Sequence, residues 1–304
     1  MKNVIFMGTP EYAQKILQRL IDSNNINVVA VYTQPDKPVG RKKVLTSPPV
    51  KITAKEHNIP VYQPKRLRDE ATIDELLHIE CDYIVVAAYG QILPREILDH
   101  APCINLHASI LPQYRGASPI QQTLLNGDKQ TGVTAMLMDE GLDTGDILKI
   151  EMIPVKENTM VEDLFEQLTD VAADLTVDVL HDFNSFTPQK QNESQATHCK
   201  KITKVDGEVH FDDARKLYNK YRAFTPWPGV YLSSGLKLKK IELESTDDRY
   251  QEAGKIITID KESIVVTCKQ GTLRIYKVQP QSKKEMDVLS YINGKRLSVE
   301  DTLF

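Results

Sequence analysis

A carboxamide and an imidazole, Asn105 and His107, stand two positions apart directly after an apolar run. Residues two apart on a strand point to the same side, so both side chains can face one substrate. Downstream, residues 139–146 supply a carboxylate, Asp143, between two glycines. An amide that donates to an oxyanion, a base that takes a proton near neutral pH and a carboxylate that orients the base are the requirements of acyl transfer. We therefore predict an acyl-transfer site with these three residues as catalytic groups.

The role of Asp143 has two alternatives at this point, because it can orient and stabilise the imidazole or hold a water that relays protons. Taken singly, each residue also has a simpler explanation, such as a turn position for Asp143. Neither Ser109 nor Cys103 sits in the sequence context of a nucleophile elbow. The pattern therefore favours direct transfer of the acyl group over a covalent acyl-enzyme.

Apolar runs and helical periodicities alternate over the first 185 residues, which we assign to one catalytic domain. Strands are predicted at 4–7, 27–32, 60–62, 82–88, 103–107, 131–138 and 147–155, and helices after Pro10 and Pro48 and over 73–77, 117–126 and 161–180. The alternation predicts an α/β fold with a doubly wound, mostly parallel, Rossmann-like sheet. Such a sheet binds ligands at the carboxyl ends of its strands, where His107 and residues 89–91 are expected to meet in one cleft.

The first turn, Gly8-Thr9-Pro10, lacks the second and third glycines with which a dinucleotide fold approaches a pyrophosphate. This argues against a nicotinamide dehydrogenase, which we keep as a rival hypothesis.

The four cysteines are widely spaced and form no Cys-x-x-Cys pair, so we expect free thiols and no metal site. With 41% hydrophobic and 26% charged residues and no long apolar run, the composition predicts a soluble, cytoplasmic protein without a membrane segment.

A second domain is predicted beyond a polar segment without periodicity. We assign 186–205 to a linker and 206–304 to a small barrel of the OB type, with a helix near 213–223, strands near 236–244, 255–259, 263–268 and 272–278, and a last helix capped by Gly294. The only tryptophan, Trp227, lies between two prolines. It could stack on a base, but a tryptophan in this context is more often part of a packed turn, which is the interpretation we favour.

Residues 105–116 (NLHASILPQYRG) and 141–146 (GLDTGD) resemble the signature of the 10-formyltetrahydrofolate-dependent formyltransferases. The resemblance implies that Asn105, His107 and Asp143 are the catalytic trio and that 10-formyltetrahydrofolate is the formyl donor, without a metal. It also implies a folate site built from the strand-end loop, the segment after His107 and the aspartate loop. The residues so implicated are Ala88, Tyr89, Gly90, Gln91, Ile92, Leu93, Ser109, Leu111, Pro112, Met138, Asp139, Glu140, Gly141 and Leu142.

Members of this family formylate glycinamide ribonucleotide, amino sugars or methionyl-tRNA, or hydrolyse the folate with water. Residues 8–13 (GTPEYA) resemble the opening of the members that act on methionyl-tRNA. An insertion over 33–51, with Arg41, Lys42 and Lys43 at its tip, resembles the loop with which those members contact tRNA. Three adjacent cations suit phosphate contact, and the fork of Arg41 can grip a phosphate through two hydrogen bonds. The family usually has another glycine between the arginine and the lysines, which this chain lacks.

The resemblance thus implies an enzyme of translation initiation that acts as a monomer. In the implied reaction, the α-amine of methionine on initiator methionyl-tRNA attacks the formyl group directly, through a tetrahedral intermediate. An unperturbed α-amine has a pKa near 8, and esterification lowers it, so little acid–base help is needed. Positioning then supplies much of the rate acceleration. Two alternatives remain open: a sister enzyme that acts on an amino sugar or on water, and an inactive tRNA-binding protein.

Overall fold

The structure is a computed structural model of the chain, and it describes residues 1–40 and 42–303. The chain separates into two compact units. The first comprises Met1–Pro119, Gln130–Pro154 and Phe165–Cys199, and the second comprises Ile120–Lys129, Val155–Leu164 and Lys200–Phe304. The predicted linker, 186–205, is therefore divided at Cys199 between the two units, and two internal segments of the predicted catalytic domain group with the second unit.

The helices and strands follow the predicted order closely. The strands are β1 Lys2–Gly8, β2 Ile26–Tyr32, β3 Lys37–Val39, β4 Val44–Thr46, β5 Val61–Tyr62, β6 Tyr83–Ala87, β7 Cys103–His107, β8 Arg115–Gly116, β9 Gln130–Leu137, β10 Ile147–Pro154, β11 His198–Cys199, β12 Val230–Tyr231, β13 Lys237–Arg249, β14 Ile256–Ile259, β15 Ile264–Thr267, β16 Gln270–Gln279 and β17 Met286–Asp287. The helices are α1 Glu11–Ile21, α2 Pro49–Glu56, α3 Glu70–Leu77, α4 Arg95–Leu98, α5 Pro119–Asn126, α6 Val161–His181, α7 Ala214–Phe224 and α8 Val288–Lys295.

The large sheet of the first unit has the strand order β10-β9-β7-β6-β1-β2-β5. The strands from β7 through β6, β1 and β2 to β5 pair in parallel, whereas β9 and β10 join one side as antiparallel strands. Every residue of β6 is buried, as expected for a strand covered on both faces. The prediction of a doubly wound, mostly parallel α/β sheet is confirmed, and the ends of β1, β6 and β7 share one edge.

Three turns meet at that edge. The Thr9 hydroxyl and the Gln34 side-chain amide both donate to the backbone oxygen of Tyr89, at 3.3 and 3.1 Å. Gly8 is needed for helix packing, because a Cβ there would lie 2.5 Å from the Cβ of Ala13. The first turn is therefore tied to the loop after β6, which we predicted to line the cleft.

The insertion predicted as a loop is a short hairpin of β3 and β4, paired in antiparallel register from Lys37 opposite Thr46 to Val39 opposite Val44. We expected a structureless segment because its prolines interrupt any periodicity. Pairing succeeds nevertheless, since the proline of a two-stranded ribbon can face outward from the ladder.

The second unit carries an antiparallel sheet in the order β12-β13-β16-β15-β14, with β17 paired to β16. Its core combines α7, α8 and the inward faces of the long strands, as in Leu217, Leu238, Ile275 and Val288. The predicted small β domain is confirmed. The cap of α8 differs from our prediction, because the left-handed residue is Arg296 (φ 60°) and Gly294 lies inside the helix.

Candidate active site

The three predicted catalytic residues come from two neighbouring strands of the large sheet. Asn105 and His107 lie on β7, where Asn105 pairs with Met136 and His107 with Thr134 of β9. Asp143 follows in the loop that leads from β9 to β10. His107 and Asp143 are 6% and 9% exposed, so the carboxylate and the imidazole meet in a nearly dry environment.

Asp143 contacts both other members of the trio. One of its carboxylate oxygens accepts a hydrogen bond from Nδ2 of Asn105 at 3.3 Å. The other lies 3.7 Å from Nδ1 of His107, which is beyond a direct hydrogen bond but within the range of a strong charge interaction. The carboxylate therefore orients the Asn105 amide and leaves the second Nδ2 hydrogen for another acceptor.

The tautomer of His107 follows from its second contact. Its Nε2 lies 2.9 Å from the backbone oxygen of Tyr114. A carbonyl oxygen can only accept, so Nε2 carries a hydrogen, and in the neutral ring Nδ1 presents a lone pair. A proton taken up at Nδ1 comes to lie beside the Asp143 carboxylate, which stabilises the imidazolium. The arrangement is that of a general base with a charge partner.

The loop around Asp143 is held by three hydrogen bonds. The backbone N–H of Gly116 donates to the carboxylate at 2.8 Å. Nε2 of Gln191 donates to the backbone oxygens of Asp143 and Gly145 at 2.9 and 2.8 Å. These bonds fix a residue with φ of 55°, a left-handed conformation that aspartate tolerates better than most residues. The carboxylate is thus positioned before any substrate arrives.

Gln191 is itself oriented by a buried arginine. The guanidinium of Arg115, 2% exposed, donates from Nε and Nη2 to the amide oxygen of Gln191 at 3.0 and 2.8 Å. It also makes two hydrogen bonds to Glu193, at 3.0 and 2.7 Å. This pairing raises the pKa of Arg115 and lowers the pKa of Glu193. We call Arg115, Gln191 and Glu193 the arginine clamp.

Two glycines of the signature are required by backbone packing. A Cβ on Gly116, whose φ is 118°, would lie 2.2 Å from the backbone oxygen of Cys199, with which β8 pairs. A Cβ on Gly145 would lie 1.7 Å from the backbone oxygen of Leu137. At Gly145 the neighbour that a side chain would meet is therefore strand β9 of the protein itself.

The residues implicated in folate binding divide by exposure. Tyr89, Leu93, Ser109 and Leu111 are buried, while Gln91 bonds to Leu67 and Pro64 at the base of the loop. The exposed members are Ala88, Gly90, Ile92, Asp139, Glu140, Gly141 and Leu142, and Pro112 and Met138 are half-buried. The two loops adjoin, because Met138 packs on the core that holds Leu93 and Arg95 lies 3.8 Å from Glu140. The exposed members are the ones that offer surface to a ligand.

Two of the three predicted tRNA contacts, Lys42 and Lys43, lie between β3 and β4. Lys42 and Lys43 are exposed, and Arg41 lies outside the described residues. At the base of the hairpin, the Asp36 carboxylate accepts from Nζ of Lys51 at 2.8 Å, from Gln63 at 2.9 Å and from Ser47 at 3.1 Å. These contacts lower the pKa of Asp36 to about 2. The hairpin is anchored at its base and open at its tip.

Sequence reasoning missed the arginine clamp. Gln191 and Glu193 fall in the polar segment that we assigned to a linker, and nothing in its periodicity marks a side chain that reaches a catalytic loop. Arg115 was visible only as part of the signature. Arg115 itself was the one signal available, because a guanidinium that becomes buried requires an acidic or polar partner.

Over residues 1–40 and 42–303, no group of three or more histidine, cysteine or acidic side chains has a geometry that could hold a metal ion. Within the same ranges, no helix combines the length and the apolar character needed to cross a membrane. The four cysteines are free thiols.

Two family models match this chain. One, described as formyl transferase, matches residues 1–180, and the other, described as formyl transferase, C-terminal domain, matches residues 201–296. A Sulfurimonas denitrificans protein named methionyl-tRNA formyltransferase is 65% identical over 300 residues, which are 99% of each chain. Proteins of the same name from Nitratiruptor sp. and Campylobacter jejuni are 54% and 51% identical and are covered over 99% and 100% of each chain.

Solved structures share the fold at much lower identity. The sugar 3N-formyl transferase WlaRD superposes with a TM-score of 0.69 at 20% identity, over 93% of this chain and 99% of that one. HypX from Aquifex aeolicus, solved with tetrahydrofolic acid, gives a TM-score of 0.59 at 15% identity, over 99% of this chain and 48% of its own.

Proposed function

The chain belongs to the formyl transferase family, and we propose that it transfers the formyl group of 10-formyltetrahydrofolate to the α-amine of methionine on initiator methionyl-tRNA. One observation carries this proposal. The cluster of Asn105, His107 and Asp143 lies in a chain that is 65% identical, over 99% of both lengths, to a protein named for that reaction. We further propose that residues 1–185 contain the catalytic machinery and that residues 206–304 contact the tRNA.

The first step in this proposal is attack of the amine nitrogen on the formyl carbon, so that the formyl oxygen gains negative charge. The Asn105 amide, with one hydrogen held by Asp143 at 3.3 Å, donates its other hydrogen to that oxygen. A donor fixed before the reaction stabilises developing charge without reorganisation, and one such donor contributes about 10²–10³ in rate. Asn105 is thus the electrophilic residue of the site.

The second step is removal of the proton from the attacking nitrogen. Nδ1 of His107 accepts it, because Nε2 is committed to the Tyr114 carbonyl at 2.9 Å. The charge that then forms on the ring faces the Asp143 carboxylate at 3.7 Å. Collapse of the tetrahedral intermediate returns the proton to the folate nitrogen and leaves the formyl group on the amine.

Two exposed apolar side chains support our proposal for the folate site. Ile92 and Leu142 are 79% and 65% exposed on the two loops of the cleft, although side chains of this kind are usually covered. Ala88 and Gly90 have positive φ values of 46° and 81°, so the backbone of this loop departs from the strand direction. We propose that these residues, with the exposed part of the aspartate loop, hold the folate.

The acceptor side of the proposal uses the β3–β4 hairpin. Arg41, Lys42 and Lys43 contact phosphates at the acceptor end of the tRNA in this scheme. Asp36 fixes the base of the hairpin through Lys51 and Gln63, which reduces the conformational freedom lost when the tip meets RNA. The cationic tip selects tRNA over a small amine.

The decisive experiment incubates the purified protein with 10-formyltetrahydrofolate and charged initiator tRNA and measures formyl-methionine after hydrolysis of the ester. Formyl-methionine that depends on both substrates supports the proposal. Parallel reactions offer a nucleotide-linked amino sugar or water alone as acceptor, because sugar formyl transferases share the fold at a TM-score of 0.69. Transfer to the amino sugar without transfer to methionyl-tRNA would replace the proposal with the sister activity.

A further inference from the structure

The single tryptophan of the chain is a surface residue. Trp227 is 61% exposed, whereas we favoured a packed turn on the sequence. Pro228 on one side of it is buried, and Pro226 on the other side is exposed. An exposed tryptophan leaves a large apolar face in water, so its position suggests a partner with a flat surface.

The backbone beneath the indole is anchored. The N–H of Gly229 donates to the backbone oxygen of Phe224 at 2.8 Å, which closes the turn after α7. Gly207 fits against the turn so closely that a Cβ there would lie 2.3 Å from the backbone oxygen of Gly229 and 3.3 Å from Cγ of Pro228. The prolines on both sides of Trp227 also restrict φ. The indole is therefore presented by a fixed support, and little backbone entropy is lost when a partner binds.

The segment that packs on this turn carries three lysines, Lys200, Lys201 and Lys204, close together in the chain. The 3₁₀ segment Lys204–Gly207 packs on it through Gly207, and the Tyr231 hydroxyl donates to the backbone oxygen of Lys204 at 3.1 Å. Among the described residues, neither Lys201 nor Lys204 has an ion-pair partner, and Lys200 reaches Asp206 only at 3.9 Å.

The same segment has two acidic residues, Asp206 and Glu208. The carboxylate of Asp206 accepts from the N–H and the hydroxyl of Thr203 at 2.7 and 2.6 Å. On the other side, Nζ of Lys220 donates to the backbone oxygen of Glu208 at 2.7 Å and lies 5.9 Å from the Phe224 ring. The turn thus combines an exposed aromatic face with a net positive rim.

We propose that Trp227 stacks on an unpaired nucleobase of the tRNA substrate while Lys201 and Lys204 contact the adjoining phosphates. An aromatic platform beside cations is the combination with which proteins bind single-stranded nucleotides, since every base has a π face and every linkage a charge. Val205, 74% exposed, adds an apolar side chain next to Lys204 in the segment that packs on the turn. This inference rests on the proposed function, because it takes tRNA as the substrate.

The test uses the intrinsic fluorescence of the protein, because Trp227 is its only tryptophan. Deacylated initiator tRNA is titrated into the full-length protein, with excitation chosen to exclude tyrosine, and binding is measured in parallel by filter retention. Stacking predicts quenching that follows the binding curve. A perfectly paired RNA duplex of the same charge is the control and is expected to give little quenching at equal occupancy.

Two substitutions separate stacking from general packing. Trp227→Leu is expected to weaken tRNA binding about tenfold, whereas Trp227→Phe, which keeps a flat ring, is expected to lose about threefold or less. Because the side chain is exposed, both variants are expected to keep the wild-type Tm. Equal binding by wild type and Trp227→Leu, or quenching by the duplex as strong as by tRNA, would overturn the stacking proposal.

The outcome is distinguishable from a failure of the proposed function. If the protein formylates methionyl-tRNA but Trp227 is neither quenched nor needed for binding, stacking is wrong and the activity stands. If formylation fails while the tRNA titration behaves as expected, the activity is wrong and the stacking surface stands.

Discussion

The two regions that we assign to the donor and the acceptor differ in how their side chains are held. His107 and Asp143 are 6% and 9% exposed and are fixed by hydrogen bonds from two segments of the first unit, one with Tyr114 and Gly116 and the other with Gln191. Lys42, Lys43 and Trp227 are exposed side chains on turns whose bases are anchored. In the first region the functional groups are rigid, and in the second only the support is rigid.

This difference fits the two tasks. A transition state requires donors and bases within a few tenths of an ångström of their working positions, and burial with hydrogen bonds achieves that. A large RNA surface is held by several contacts of modest strength, which form when the complex forms. Damage to the first region should therefore lower turnover, and damage to the second should weaken substrate binding.

The strongest test of this contrast is His107→Ala. Removing the base should lower kcat by about 10²–10⁴, while tRNA binding stays within about twofold of wild type. Single-turnover formylation and filter binding measure the two quantities. The exposed His78, the C-cap residue of α3, provides a matched control, since His78→Ala should leave both unchanged. Turnover in His107→Ala equal to that of wild type would refute the catalytic assignment.

The next effect concerns Gln191, which touches no predicted substrate position. Gln191→Ala removes two hydrogen bonds to the Asp143 loop and leaves buried carbonyls unsatisfied, at a cost of about 1–3 kcal/mol. Because the loop can relieve part of this cost by moving, Asp143 should leave its position beside His107. We expect kcat to fall about tenfold, while KM for tRNA changes little.

Gln195→Ala, in the same segment but exposed, serves as the control for Gln191→Ala. A rise in KM for tRNA with kcat retained would show that this segment belongs to the acceptor region and would break the contrast drawn above.

The sequence was sufficient for features that local patterning encodes. The buried strand β6 and the pair Asn105 and His107 on β7 follow from apolar runs and from the two-residue period of a strand. The arginine clamp did not follow, because Gln191 reaches Asp143 through tertiary contacts between segments 48 residues apart. The exposure of Trp227 could not be predicted either, since adjacent prolines fix the course of a chain and not which side of it meets water.

An effect of similar size, on binding in place of turnover, is expected at the hairpin. Arg41→Ala should lower formylation of methionyl-tRNA at least about tenfold at limiting tRNA and leave folate binding intact, because one charged phosphate contact is lost. The slope of log Kd for tRNA against log salt should fall by about one unit. Lys55→Ala, an exposed lysine on the neighbouring α2, is the control. Unchanged kinetics in Arg41→Ala would remove the hairpin from the acceptor region.

The smallest effect is a pH dependence of stability from the exposed end of the arginine clamp. Arg115 lowers the pKa of Glu193 below its ordinary value of 4.5, so the folded state binds this proton less readily than the unfolded state. The stabilising contribution is therefore complete above pH 4.5 and is lost as pH falls through the lowered pKa.

Glu193→Gln keeps the size of the side chain but removes the charge. The Tm of wild type should exceed that of Glu193→Gln by a small margin at pH 7, and the margin should shrink between about pH 5 and pH 3. The side chain of Glu193 is 71% exposed, so solvent screens the pair and the margin should also decrease with added salt. A margin that is constant with pH would mean that Gln191 alone, and not the ion pair, holds Arg115 behind the catalytic loop.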